Sequence, residues 1–156
     1  MYASSENDHY MTQKSTWDMI SMYLPRDKVL WEAFYGDGQS GNYLRELGFE
    51  VIHESVDFYT NNLGEVIVSN PPYSQKREVF QRLKELDKPF CMLVPTACIQ
   101  TRYFQTLFGE SDIQLIVPSG KIQFDRADTA PHPKGCSFYT CFVCYKMNLP
   151  RNNIFI

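Results

Sequence analysis

Residues 29–41 read VLWEAFYGDGQSG, and this stretch decides the fold. The apolar run over 29–35 predicts a buried strand, the glycines from Gly36 to Gly41 predict a tight turn, and 39–47 has the apolar spacing of a helix. A G-x-G-x-x-G turn in this context lets the backbone approach a ligand closely. Glu54 lies 18 residues after Gly36 and follows the next predicted strand, where an acid can accept hydrogen bonds from ribose hydroxyls. Taken alone, the pattern fits any adenosine-containing cofactor, and also a plain turn that joins two elements.

Strands and helices alternate outward from this stretch, which predicts an α/β fold with a doubly wound, mostly parallel sheet and helices on both faces. In such a sheet, ligands bind beyond the carboxyl ends of the strands. Thr16 is the predicted cap of the first helix and Ser74 that of a later one. The further predicted strands are 49–54, 65–70, 90–95, 112–118 and 137–147; the further predicted helices are 16–24, 74–86 and 97–108, with a polar loop over 119–136.

The tetrapeptide Asn70-Pro71-Pro72-Tyr73 follows the apolar run 65–70 directly, so we expect it at the ligand edge of the sheet. Two successive prolines stiffen the chain, and the Asn70 side chain and the Pro71 carbonyl can then act as two acceptors aimed at one amine. Tyr73 offers a ring on which a planar base can stack. A rigid turn with a surface tyrosine is the alternative, and the cofactor-like turn in the right order favours the functional interpretation.

Length and composition predict one globular domain over residues 1–156, with flexible termini at 1–9 and 148–156. The chain is 44% hydrophobic, 15% aromatic and 21% charged, which excludes a disordered or fibrous protein. Its apolar runs are too short for a membrane span, and the first residues lack the pattern of a secretory signal. We therefore expect the cytoplasm or another intracellular compartment.

Charge is distributed unevenly along the chain. Residues 1–70 carry 4 Lys and Arg against 11 Asp and Glu, whereas residues 71–156 carry 11 against 7. The C-terminal part can therefore meet a polyanion although the net charge is −3. In the loop 119–136, Lys121 and Arg126 are candidate phosphate contacts, and Phe124 is either a base-stacking ring or a hydrophobic plug.

The five cysteines follow no secreted disulfide framework, which is typical of a reducing compartment. His132, Cys136, Cys141 and Cys144 are four potential zinc ligands. Cys141 and Cys144, however, lie in a strand-like run, where positions three apart point to opposite faces. We therefore expect no metal site.

The two motifs resemble those of class I S-adenosylmethionine-dependent methyltransferases, in particular the adenine amino-methyltransferases of DNA, over about residues 10–147. The family's N/D-P-P-Y/F motif corresponds to 70–73, and its acid-x-aromatic-x-G-x-G motif to 32–38. The resemblance implies a Rossmann-like sheet with an antiparallel C-terminal strand, S-adenosylmethionine as cofactor, and methyl transfer to the exocyclic amino group of adenine. It implies these catalytic residues: Asn70, Pro71, Pro72 and Tyr73. It implies these cofactor contacts: Tyr10, Thr12, Glu32, Phe34, Gly36, Gly38, Glu54, Asp57, Phe58 and Asn70.

Two departures from the family bear on substrate choice. Only ten residues separate Glu54 from Glu65, so the third strand and its helix should be reduced or absent. The chain also offers no separate target-recognition domain, so its own loops, a partner subunit or a second copy of the chain would supply sequence recognition. Nucleic acid, DNA more than RNA, is the expected substrate, and its base must be flipped out or single-stranded.

Three other functions stay open from the sequence. The same Asn-Pro-Pro-Tyr chemistry methylates glutamine side-chain amides in proteins, although the basic C-terminal part favours a nucleic acid. A non-catalytic subunit that binds cofactor or nucleic acid is disfavoured by the two intact motifs. An NAD-dependent oxidoreductase is disfavoured further, because it leaves 70–73 without a role.

Overall fold

The computed structural model describes residues 6–126 and 138–156, in which strands alternate with helices. The strands are β1 (Tyr10–Thr12), β2 (Leu30–Trp31), β3 (Val51–Ile52), β4 (Val66–Ser69), β5 (Phe90–Pro95), β6 (Ile113–Val117), β7 (Phe124–Arg126), β8 (Thr140–Tyr145) and β9 (Asn153–Phe155). The α-helices are α1 (Lys14–Ile20), α2 (Gln39–Glu46), α3 (Lys76–Leu86) and α4 (Arg102–Phe108). Short 3-10 helices cover Glu6–His9, Ser21–Tyr23, Tyr73–Gln75 and Thr96–Gln100.

Seven strands form the central sheet in the order β3-β2-β4-β5-β8-β6-β9. Leu30 pairs in parallel with both Val51 and Val66, and β4 pairs in parallel with β5. Strand β8 is antiparallel to β5 and β6, while β9 is parallel to β6. Every strand of this sheet except β8 therefore runs in the same direction. The fold is mixed α/β with a mostly parallel sheet, and the carboxyl ends of β2 and β4 lie side by side.

Two hydrophobic layers cover the two faces of the sheet. Strand side chains alternate between the layers, so Cys144 lies in the first layer and Cys141 in the second. Helices α1 and α2 supply Trp17, Ile20 and Leu44 to the first layer. Helices α3 and α4 supply the second, through Val79, Phe80, Leu83, Phe104 and Phe108. No helix among the described residues is long and apolar enough to cross a membrane.

Residues 53–65 join β3 to β4 without a strand or helix, at the place where the sequence predicts a reduced region. The ammonium group of Lys88 holds this connection in place. It donates to the carbonyls of Leu63 at 2.6 Å and Gly64 at 3.0 Å, and to the side chain of Asn62 at 2.6 Å. It also lies 5.4 Å from the ring centre of Trp31. The lysine therefore satisfies backbone groups that a paired strand would otherwise satisfy.

Several element boundaries differ from the predictions. The first helix begins at Lys14 with Gln13 as its cap residue, so Thr16 is not the cap. Ser74 does not cap α3 either, because its N–H and hydroxyl both donate to Asp8. The predicted helix over 97–108 is divided into a 3-10 segment and α4, with Thr101 accepting from the Phe104 N–H between them. The contact between Ser74 and Asp8 joins distant parts of the chain, so periodicity alone does not show it.

The prediction of a flexible C-terminal tail over 148–156 is wrong. Strand β9 pairs with β6, and Ile154 is 1% exposed in the first hydrophobic layer. The predicted loop 119–136 also contains a strand, β7, which pairs with β1 across more than a hundred residues. In both cases strands too short to show periodicity are stabilised by a distant partner strand. Residues 127–136 of that loop lie outside the described residues.

Candidate functional site

A cleft of about 210 Å³ opens at the carboxyl ends of β2 and β4. Its walls are the segments that follow these two strands, the start of α2, and an N-terminal strap, defined here as residues 8–12. The described lining is Asp8, Tyr10, Met11, Thr12, Glu32, Phe34, Tyr35, Gly36, Asp37, Ser40, Asn70, Pro71 and Pro72. The cleft therefore brings together both sequence motifs at the predicted edge of the sheet.

Glu32 is the most deeply buried charged group in the lining, with 1% of its surface exposed. Its carboxyl accepts hydrogen bonds from the Ser69 hydroxyl and, at 3.2 Å, from the Phe34 N–H. Burial raises the pKa of Glu32 to about 8, although both hydrogen bonds act to lower it. Within 6–126 and 138–156 no cationic side chain pairs with it. A positively charged ligand in the cleft would lower this pKa and pair with the ionised carboxylate.

The glycine turn, residues 36–41, is held in shape by hydrogen bonds from several directions. The Tyr35 carbonyl accepts from the Gly38 N–H at 2.9 Å, and Asp37 Oδ1 accepts from the Gln39 N–H at 3.0 Å. Trp17 Nε1 on α1 donates to the Ser40 hydroxyl at 3.2 Å. Gly38 has φ of 82°, a left-handed conformation that favours glycine, and caps α2. Gly38 lies outside the described lining but sets the path of the residues within it.

The Asn70 amide is oriented by the strap. Its Nδ2 donates to the Tyr10 carbonyl at 3.1 Å, and a carbonyl can only accept, so this contact fixes which end of the amide carries the oxygen. Asn70 Oδ1 is buried and has no hydrogen-bond partner among the described residues. Burial of an unsatisfied acceptor costs free energy, which a donor on a ligand would recover. Pro71 and Pro72 continue the same wall of the cleft.

The N-terminal strap crosses this wall from one end of the Asn-Pro-Pro-Tyr turn to the other. Asp8 accepts from the Ser74 N–H at 2.9 Å and from its hydroxyl at 2.5 Å. Tyr10 and Thr12 belong to β1, which pairs with β7. Both residues line the cleft. Through β7, Phe124 and Arg126 lie next to Tyr10.

Four other predicted site residues lie outside the described lining. Tyr73 is 5% exposed, and its ring meets the edge of Phe138 with 5.7 Å between ring centres. Phe58 is buried between Trp31 and Phe34, of which only Phe34 reaches the cleft. Asp57 accepts from the Tyr59 N–H and the Thr60 hydroxyl, and Glu54 is exposed. The cleft is smaller than the 300–1,000 Å³ or so of typical ligand sites, so a nucleoside ligand would extend beyond it toward these residues.

The three predicted substrate contacts are not equivalent. Phe124 packs on the first hydrophobic layer, 5.5 Å from the Tyr10 ring centre, which is the place of a hydrophobic plug. The Arg126 guanidinium lies 5.5 Å from the same ring centre. Lys121 is exposed, and its ammonium lies 5.3 Å from the Tyr139 ring centre.

Strand β8 separates two of the four potential zinc ligands. Cys141 and Cys144 are buried on opposite faces of the sheet, and burial raises the pKa of the Cys141 thiol to about 11. Residues 6–126 and 138–156 contain no group of His, Cys, Asp and Glu with the geometry of a metal site. His132 and Cys136 lie outside the described residues.

Sequence reasoning missed Asp8, Asp37 and Ser40 in the lining, and His53 behind it. Asp37 and Ser40 are part of the G-x-G-x-x-G motif, so the motif itself was a signal for them. No spacing rule identifies Asp8 or His53, because each acts through a partner from a distant part of the chain.

Comparisons with known proteins add little to this geometry. No protein-family model matches the sequence, and no curated protein matches it. A solved structure of a protein from Thermoplasma acidophilum, proposed to be a methyltransferase, aligns with a TM-score of 0.34 at 10% identity. The alignment covers 82% of this chain, and this chain spans 60% of the length of that one. A likeness this low carries no argument, so the functional assignment depends on the site itself.

Proposed function

We propose that this chain is a methyltransferase that moves the methyl group of S-adenosylmethionine to the exocyclic amino group of adenine, in DNA rather than RNA. The observation that carries the proposal is the cleft between β2 and β4. There a buried carboxyl with no cationic partner in 6–126 and 138–156, and a buried amide oxygen with no donor in the same residues, lie at one edge of the sheet beside a glycine turn. A cationic cofactor and an amine substrate are the two ligands that satisfy these groups.

The residues that line the cleft fit the cofactor. Glu32 would pair with its positive charge, the glycine turn would approach it by the backbone, and Tyr10, Thr12 and Phe34 would enclose it. When bound, S-adenosylmethionine supplies a methyl group on a sulfonium, which is already a good leaving group. The chain therefore has to align the reacting atoms more than to activate them.

Asn70 and Pro71 would hold the target amine. The lone pair of an adenine amino group is conjugated with the ring, so the nitrogen is a weak nucleophile. Acceptance of its hydrogens by Asn70 Oδ1 and the Pro71 carbonyl would favour a tetrahedral nitrogen and stabilise the positive charge that develops on it. The contact between Asn70 Nδ2 and the Tyr10 carbonyl keeps the amide oriented for this task.

A nucleic-acid substrate is supported by basic side chains beside the Asn-Pro-Pro-Tyr turn. Lys76 and Arg77 line a depression next to Tyr73 and Tyr103 at the start of α3. Arg82 lies further along α3. It donates to the carbonyls of Phe58 and Asn61, so its guanidinium stabilises the connection between β3 and β4. Lys76 and Arg77 would therefore be the residues at the start of α3 that meet phosphates.

The test is incubation with labelled S-adenosylmethionine and panels of DNA, RNA and protein, followed by identification of the modified atom. With the best substrate, Asn70→Ala should lower the single-turnover rate about 100-fold or more, because it removes an interaction that strengthens toward the transition state. Cofactor affinity should change much less.

Asn42→Ala is the matched control, because Asn42 is an exposed asparagine on α2 whose side-chain oxygen accepts from its helix neighbour Arg45. A folded Asn70→Ala protein that methylates at the parent rate would contradict the catalytic role. Methyl transfer to a glutamine amide, or to RNA alone, would replace the proposed substrate while keeping the reaction.

A further inference from the structure

His53 directly follows β3, and its buried side chain lies against the glycine turn. Its Nδ1 lies 3.0 Å from the Gly41 nitrogen, and its Nε2 lies 3.0 Å from the Tyr35 carbonyl oxygen. Its ring centre is 4.9 Å from that of Tyr35. The His53 side chain therefore bonds to the last residue of the turn and to Tyr35, the residue just before it.

The two partners fix the protonation state of the ring. A backbone N–H can only donate, so Nδ1 must be an acceptor and carry no proton; a carbonyl can only accept, so Nε2 must carry the proton and donate it. The geometry therefore requires the neutral imidazole. A second proton on Nδ1 would point at the Gly41 N–H and break that hydrogen bond.

The contact to Gly41 does the work of a helix cap. The first N–H groups of α2 have no partner within the helix, and the cap residue, Gly38, has no side chain to accept from them. Asp37 accepts from Gln39, and His53 accepts from Gly41. The residue at 41 must also be a glycine, because a Cβ there would lie 2.2 Å from His53 Nδ1. The position of the His53 ring therefore requires glycine at position 41.

We propose that His53 is a positioning residue of the cofactor site, which holds the glycine turn in its ligand-binding shape only while the imidazole is neutral. This inference rests on the proposed function, since it takes the cleft beside Tyr35, Gly36, Asp37 and Ser40 to be the cofactor site. His53 does not itself line the cleft, and it acts through the turn.

The surroundings of the ring agree with a neutral state near pH 7. Desolvation lowers the pKa of His53 from its ordinary value of 6.5, against the effect of the backbone contacts. The charged groups near the ring are Arg45 on α2, which lowers the pKa further, and Asp37 in the turn, which raises it. Cofactor affinity should therefore decrease as the pH falls through the pKa of His53.

The test uses S-adenosylhomocysteine as the probe and calorimetry on the full chain, over a pH range that spans the His53 titration as followed by NMR in the same samples. His53→Asn keeps an acceptor near the position of Nδ1 and cannot be protonated. His53→Phe keeps the ring and removes both hydrogen bonds.

At pH 7.5, His53→Phe should weaken binding roughly tenfold, while His53→Asn should retain most of the affinity. As the pH falls through the His53 titration, the wild type should lose affinity relative to His53→Asn. Glu32 is present in every variant, so its own titration cancels in these comparisons.

If the wild type binds the probe and a folded His53→Phe protein binds it with the same affinity, the inference is overturned and the proposed function stays intact. Equal weakness of the Asn and Phe variants would overturn it too, since the acceptor for Gly41 would then not matter. If wild type bound no probe at any pH, the proposed cofactor would fail together with the inference. If His53→Phe does not fold, the comparison of wild type with His53→Asn across the titration decides alone.

Discussion

At Glu32, a carboxyl group is buried between the Ser69 hydroxyl and the Phe34 N–H, at the floor of the cleft. Its pKa in the folded protein is about 8, against an ordinary value of 4.5. The folded state therefore holds this proton more tightly than the unfolded state does. The stability that the neutral acid contributes is fully present below pH 4.5 and is lost as the pH rises through about 8.

Glu32→Gln should therefore change stability in a pH-dependent way. The amide oxygen can still accept from Ser69 and Phe34, and the amide cannot ionise. We expect a free energy of unfolding close to that of the wild type at pH 4.5, and one higher by roughly 1 to 3 kcal/mol at pH 8.5. Urea unfolding of both proteins at the two pH values measures this difference.

Glu46→Gln is the control for this prediction, because Glu46 is exposed and its ion pair with Lys14 lies at the surface. It should shift stability little at either pH. A Glu32→Gln protein that is less stable than the wild type at pH 8.5 would mean that the buried carboxylate is paired in the folded protein.

At the scale of elements, the edge strand β9 shows how a short segment is fixed by one side chain. Ile154 is 1% exposed and packs in the first hydrophobic layer, while its neighbour Phe155 is 76% exposed. The backbone adds hydrogen bonds from Leu115 to Asn152 and from Ser119 to Ile156, each 2.8 Å long. Only alternate positions of a strand face the core, so the two neighbours should differ sharply in their contribution to stability.

Ile154→Ala should lower the free energy of unfolding by about 2 to 5 kcal/mol, because it leaves a cavity in the core. Phe155→Ala, one residue further along the same strand, should change it by about 0.5 kcal/mol or less. Denaturant unfolding of the two variants tests the pair. Equal, small effects would restore the interpretation of 148–156 as a loose tail.

Across the molecule, the basic residues lie at two opposite edges of the sheet, which the direction of the strands defines. Lys121 and Arg126 follow β6 and belong to the carboxyl edge, as the cleft does. Lys28 precedes β2 and Arg151 precedes β9, so both belong to the amino edge. If nucleic acid binds at the cleft, only the first pair can meet its phosphates.

Replacing Lys121 and Arg126 together with Ala should weaken nucleic-acid binding and reduce the slope of log affinity against log salt by up to about 2. Replacing Lys28 and Arg151 together, which removes the same charge from the opposite edge, should leave the slope unchanged. Binding titrations at several salt concentrations compare the two double variants. The same slope in both would remove 119–126 from the interface and favour a protein substrate.

The sequence by itself predicts the alternation of strands and helices, the mostly parallel sheet, and the meeting of two motifs at one strand edge. Each of these depends on local periodicity or on a rule about strand ends. Glu32 follows β2 and Asn70 follows β4, so their proximity follows once the two strands are parallel neighbours.

Only the tertiary structure decides the features that depend on partners far apart in the chain. The pairing of β1 with β7 holds Tyr10 beside Asn70, and the hydrogen bond from the Gly41 N–H to His53 caps α2. The packing of Ile154 turns an expected tail into a strand. Packing also buries Tyr73 against Phe138, where the motif alone predicted an open ring. These contacts leave no periodic trace, because their free energy comes from surfaces and hydrogen-bonding groups that meet only after the chain has folded.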